Sequence, residues 1–393
     1  MFRFSDANLT WTNLAESSNG QPPIARSRHG FAAQNSALFV FGAISPDGRL
    51  NDVTQYHVGT SSWIVMDRKP QISGTRPAAR FGHGLAELNG LYYIFGGNTT
   101  DGYSNDISQH DPSKMAWTSI VSNGQIPSTR FGHGFRSLAA SLYVFGGETA
   151  LGLSNEMMHF DVASATWTIF VLQNAPSPRS RHGICIWQKA FIVFGGITAG
   201  GYSNELSKFV LVTSTWVAIT NTGNAPSPRG SSGLTAINDI LYTFGGITEI
   251  GFSDELYAGV LSGEGSVVTW KLITTGDTTR GPTARSGHAL FVFQGYLFLF
   301  GGWRDTLRAN ADGSQGVYFN NLIQFDCAKE QWLGLVSVPA GVADETPTLR
   351  RDMGVVVFKE SMIVFDGSSG DFAGVPDGFV GDIRTRGLPR EWL

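Results

Sequence analysis

Charge is scarce in this chain: only 15% of its 393 residues are Asp, Glu, Lys or Arg, and the formal net charge is -4. A nucleic-acid binder needs a basic surface to neutralise phosphates, so that class of partner is not expected. Cysteine is scarcer still. Cys185 and Cys327 lie far apart and form no CxxC or CxxH pair, which excludes a disulfide framework and a cysteine-based zinc module. Long apolar runs are missing too: the most apolar stretch, 289–300, is broken by Gln294-Gly295 and falls short of the ~20 residues that span a bilayer. The first residues, MFRFSDANLTWTNL, lack the apolar core of a signal peptide. A reducing, cytoplasmic setting is therefore expected. The triplets Asn8-Leu9-Thr10 and Asn98-Thr99-Thr100 would be glycosylation acceptors only in a secreted chain.

What the chain has is glycine, aromatics and a period. Its 49 Gly, 27 Phe and 10 Trp are the composition of a folded, strand-rich protein. A Pro-x-x-Arg-x-x-His element begins at Pro23, Pro77, Pro127, Pro176, Pro226, Pro282 and Pro347, with Ser232 and Met353 replacing the histidine in the fifth and seventh copies. Sixteen residues past each Arg stands the glycine that closes an aromatic strand, as in YIFGG at Gly96 and YVFGG at Gly146; Asp366 takes that slot in the last copy. Then come Asn51-Asp52, Asn105-Asp106, Asn155-Glu156, Asn204-Glu205, Asp254-Glu255 and Asn320-Asn321, each followed by an apolar segment and a tryptophan. All variation in repeat length lies beyond the glycines.

Alternating Leu, Tyr, Val and Phe ahead of Gly-Gly reads as a buried strand that stops where the backbone takes positive φ or passes close to a neighbour. Asn89-Gly90, between Leu88 and the run 91–95, is a two-residue hairpin signal. Each unit thus reads as a four-stranded antiparallel meander. A single meander cannot bury both faces, whereas radial packing of seven lets Trp and Phe fill the gaps between sheets. The expected fold is all-β: a seven-bladed β-propeller of four-stranded antiparallel blades, one domain over 1–393. It is closed by an N-terminal strand at residues 9–14, carrying Trp11, that joins the last blade. Trp392 competes for that role.

The ordered set PxxRxxHG, LYxFGG, SN(D/E)L and Trp resembles the kelch repeat, and the resemblance covers almost the whole chain. It implies a radial propeller with about one blade per repeat, and one end that receives a partner peptide. Many kelch proteins carry an adaptor domain, such as a BTB or F-box segment. This chain has no spare length for one and reads as an isolated propeller, a fragment, or a component of a larger assembly.

The seven arginines, Arg26, Arg80, Arg130, Arg179, Arg229, Arg285 and Arg350, are expected to donate hydrogen bonds to carbonyls between blades. A ring of His29, His83, His133, His182 and His288 is too spread out for a metal site, which wants converging ligands. No cofactor is expected. Galactose oxidase resembles the blade plan, but neither cysteine matches its Tyr-Cys crosslink. The Glu-x3-Asp-x3-His iron motif of plant specifier proteins does not occur, nor does a GxSxG elbow, a P-loop or HExxH.

The leading expectation is a non-enzymatic interaction module or scaffold whose loops on one face bind a protein or peptide. The alternatives are a metal-dependent propeller enzyme and a carbohydrate-binding propeller. Residues just after each repeated Arg vary, as do the loops past the glycines. Aromatic and Arg side chains supply most binding hot spots. The candidate partner-binding residues are Arg28, Phe81, Phe131, Arg181, Trp303 and Arg304.

Overall fold

The computed structural model describes residues 11–13; 19–66 apart from 25, 35 and 36; 73–274 apart from 172; 281–335 apart from 294 and 306–315; and the strands Gly354–Phe358, Ser361–Phe365 and Gly378–Asp382. Pro347, Arg350, Met353, Asp366 and Trp392 lie outside them. The fold is all-β, and no α-helix occurs among the described residues.

Seven antiparallel sheets of four strands make up the described body, two of them extended by a fifth, parallel strand. We number them by their first strands: sheet 1 at Gly30–Gln34, sheet 2 at Gly84–Leu88, sheet 3 at Gly134–Leu138, sheet 4 at Gly183–Trp187, sheet 5 at Gly233–Ile237, sheet 6 at Ala289–Phe293 and sheet 7 at Gly354–Phe358. In sheets 1 to 6 the four strands follow in sequence order, and in sheet 7 the outermost strand is Trp11–Asn13, antiparallel to Gly378–Asp382. Turn chemistry sets the first hairpins: Leu88 pairs with Leu91 across Asn89 (φ 53°) and Gly90 (φ 87°), the left-handed pair that a two-residue turn requires.

The first strands approach one another between sheets 1 and 2, 2 and 3, 4 and 5, 5 and 6, and 7 and 1, with the fourth strands at the far edges of their sheets. Between sheets, the repeated Trp packs on the Phe of the preceding repeat's FGG strand. Trp117 meets Phe41 with ring centroids 5.3 Å apart, Trp167 meets Phe95 at 4.8 Å and Trp216 meets Phe145 at 5.0 Å. Trp63 of sheet 1 meets Phe365 of sheet 7 at 5.7 Å. Aromatic pairs contribute about 0.5–1.5 kcal/mol each beyond the area they bury.

The repeated arginines correct the sequence reading. From Arg80 to Arg285 the guanidiniums bond within their own repeat: Arg80 donates to Ala78 O (2.9 Å), to Gly96 O (2.8 Å) and to both carboxylate oxygens of Asp106 (2.5 and 2.7 Å). What crosses to the next repeat is the asparagine beside the acid. Asn51 donates to Pro77 O at 3.1 Å and Asn105 to Pro127 O at 2.7 Å. The arginine backbone makes the reverse link: Gly97 N–H donates to Arg130 O (2.8 Å) and Arg130 N–H to Ser104 O (2.9 Å). A fully buried cation is tolerated because each of the first six repeats supplies it with carbonyls and a carboxylate, or with Asn321 Oδ1 at 2.6 Å in the case of Arg285.

Candidate functional site

Two residues past each repeated Arg from Arg26 to Arg285, the backbone turns left-handed: Arg28 (φ 56°), Gly82 (62°), Gly132 (63°), Arg181 (52°), Ser231 (54°) and Gly287 (61°). These turns are stitched together between repeats. Gly82 N–H donates to Arg28 O (3.1 Å), Gly132 N–H to Gly82 O (2.9 Å) and Ser231 N–H to Arg181 O (2.8 Å), forming a backbone collar at one end of the first strands.

The residue between Arg and collar pairs with the segment after Gly-Gly: Phe81 opposite Asn98, Phe131 opposite Glu148, and Ser286 opposite Trp303. Post-glycine hairpins therefore form a rim tied to the collar. They also touch one another, since Arg49 donates to Asn98 Oδ1 at 3.0 Å and Tyr103 Oη to Glu148 Oε1 at 3.2 Å.

Inside the collar lies a cavity of about 310 Å³. Four of the six sequence candidates line it: Arg28, Phe131, Arg181 and Trp303. Arg28 and Arg181 are exposed there. Trp303 is held edge-on to Phe252 (5.2 Å) and stacked near Tyr318 (6.4 Å). Phe81 is placed behind the lining, buried, with the Arg28 guanidinium 5.8 Å from its ring centroid and Phe131 edge-on at 6.4 Å. Arg304 also lies off the lining, on the strand Trp303–Asp305. Burial and then the nearby Arg304 charge push the Arg285 pKa down to about 9.

The candidate set left out Ser180, Ser231 and Ser286, which also line the cavity. Their signal was the register itself, since all three occupy the one or two positions after a repeated Arg. Glu148 adds one carboxylate, so the lining combines two arginines, serines and an acid with Phe131 and Trp303.

The repeated histidines do not converge. Each is wedged edge-on against the preceding repeat's Phe, His83 on Phe41 at 5.3 Å and His133 on Phe95 at 5.2 Å, and His29 meets Phe365 at 5.0 Å. Burial, followed by the adjacent arginine, pushes the pKa of His29, His83, His133, His182 and His288 down to about 3, so they stand neutral. Among the described residues, no three His, Cys, Asp or Glu side chains have the grouping that could hold a metal ion, and no helix is long and apolar enough to cross a membrane.

A backbone frame of repeated Arg, Gly, Asn and Trp, carrying variable side chains at one end, defines a repeat-built β protein. The KLHDC2/KLHL20/DRC7 Kelch-repeats domain model matches residues 1–147 and 135–302. The chain belongs to the kelch-repeat family. It is similar to Kelch domain-containing protein 3 of Bos taurus and of Homo sapiens, each 34% identical over 130 residues, which are 31% of this chain and 33% of the relative. Kelch domain-containing protein 10 of Rattus norvegicus is 29% identical over 126 residues, 31% of this chain and 29% of that protein. The matched region thus spans about a third of the length of these curated relatives. Kelch-repeat domains generally mediate protein–protein interactions, and those related to this chain are generally non-enzymatic.

Proposed function

We propose that residues 1–393 form a single seven-bladed ring whose collar mouth binds an extended segment of a protein partner. In this reading the chain is a cytoplasmic, non-enzymatic scaffold or subunit of a larger assembly, without cofactor, nucleic acid or membrane insertion. Ring closure is supported by the pairing of Trp11–Asn13 with Gly378–Asp382, and by Trp63 and His29 packing on Phe365 as their counterparts pack on earlier repeats.

One observation carries the binding proposal. Glycine serves the collar turn in three repeats without strain, yet Arg28 and Arg181 hold the same left-handed conformation at a cost of about 1 kcal/mol or more each. A residue kept in a costly conformation where glycine would fit is retained for its side chain. Two guanidiniums beside serine hydroxyls suit a partner carboxylate, since charge-assisted hydrogen bonds are the strong ones. Glu148 gives a basic group its counterpart, so the fitted ligand is a polar peptide bearing both signs. Phe131 and Trp303 supply the desolvating wall, with Phe81 and Arg304 supporting from behind.

The test follows from the same geometry. Partners are recovered by affinity purification with the wild type, Arg28→Gly and Arg181→Gly, and binding to each recovered partner is then measured. Both variants should keep or slightly raise the melting temperature while weakening binding about 10- to 100-fold, the equivalent of one or two charge-assisted hydrogen bonds. Undiminished binding in both defeats the site.

A further inference from the structure

A second cavity, of about 270 Å³, lies among the first strands of sheets 1 to 3, lined by His29, His83, His133, Phe135 and Arg136 and by the backbone of Gly30 and Gly84. Arg136 is the third residue of its strand. The equivalent residues of the neighbouring sheets are Ala32, Ala86, Cys185 and Thr235, so among these five the cation is unique to sheet 3.

Each repeated arginine from Arg26 to Arg285 meets a carboxylate or an amide oxygen. Arg136 does not. It donates from Nη1 to its neighbour's carbonyl, Phe135 O, at 2.9 Å, and among the described residues no acidic side chain forms an ion pair with it. Its guanidinium is open to the cavity yet surrounded by protein, and that surrounding lowers its pKa. Cys185 lies close enough to act on it electrostatically, and burial pushes that thiol up to about 12, leaving it neutral. The three cavity histidines are neutral as well.

A guanidinium exposed to a cavity with no carboxylate beside it leaves its donors to water, and an oxyanion entering the cavity replaces that water with charge-assisted hydrogen bonds. We infer that Arg136 and this cavity form a binding site for a small oxyanion, a phosphate or a carboxylate, separate from the collar mouth. The guanidinium fork is occupied on one side by Phe135 O, and its remaining N–H groups match the paired oxygens of such an ion.

An anion that binds only the folded chain raises its melting temperature saturably with concentration. The melting temperature of the full chain is therefore measured in increasing phosphate, acetate or chloride at fixed ionic strength. A saturable rise in phosphate or in acetate, absent in chloride, is expected, and the arm that responds identifies the oxyanion. Arg136→Met should lose the rise. Cys185→Asp, which places a carboxylate beside the guanidinium, should also lose it while starting from a melting temperature no lower than that of the wild type. A melting temperature indifferent to both oxyanions, or a rise that persists in Arg136→Met or Cys185→Asp, overturns the site.

Discussion

At the scale of single residues, the repeat is a relay rather than a set of independent contacts. Asp106 holds Arg80 inside its repeat, Asn105 reaches forward to Pro127 O, and the Arg130 backbone reaches back to Ser104 O. The histidines join that relay by packing, and their pKa values carry a consequence for stability. Folded, His29, His83, His133, His182 and His288 bind protons only near pH 3, whereas unfolded they bind them near pH 6.5. Between those limits the unfolded chain takes up more protons, so stability is full above about pH 6.5 and is lost as pH falls toward 3. Urea midpoints should decline over that window, and His83→Gln should make the decline shallower. A slope equal to the wild type's would show that His83 does not titrate on unfolding.

At the scale of strands and turns, glycine marks where one sheet approaches another. A Cβ at Gly84, which opens the first strand of sheet 2, would stand 2.4 Å from Phe135 Cβ of sheet 3. At Gly96 (φ 65°) it would stand 2.8 Å from Arg130 O and 2.9 Å from His133 Cε1. Sequence spacing reads Gly-Gly as a stop at positive φ or close approach, and Gly96 combines the two, since the next repeat occupies the missing side chain's place. Gly84→Ala should destabilise by roughly 1–3 kcal/mol, the usual cost of overpacking. Chemical denaturation would register it, and a change within experimental scatter would mean that sheets 2 and 3 separate easily.

At the scale of the molecule, the chain's two ends meet in one sheet. Trp11–Asn13 pairs with Gly378–Asp382, more than three hundred residues away in sequence. If that pairing fastens the ring, removing residues 1–14 leaves sheet 7 one strand short and exposes its outer edge. The melting temperature should fall by roughly 5 °C or more, since each lost kcal/mol lowers it by about 2–4 °C in a sizeable domain. An unchanged value would assign closure elsewhere.

Local chemistry determined the strands, the hairpin turns, the repeat and its family, because alternation, Asn-Gly and FGG act within a few residues of themselves. It also put four of six candidates on one cavity, since equivalent positions in a repeat share a place in space. Only the tertiary structure decided that each guanidinium stays in its own repeat, that Asn51 and Asn105 make the crossing, and that Phe81 stands behind the wall while serines complete it. The physical reason is direction. Sequence spacing places a residue at a level of the stack, but which neighbour its side chain meets depends on how two sheets twist past each other, a relation that no single repeat contains.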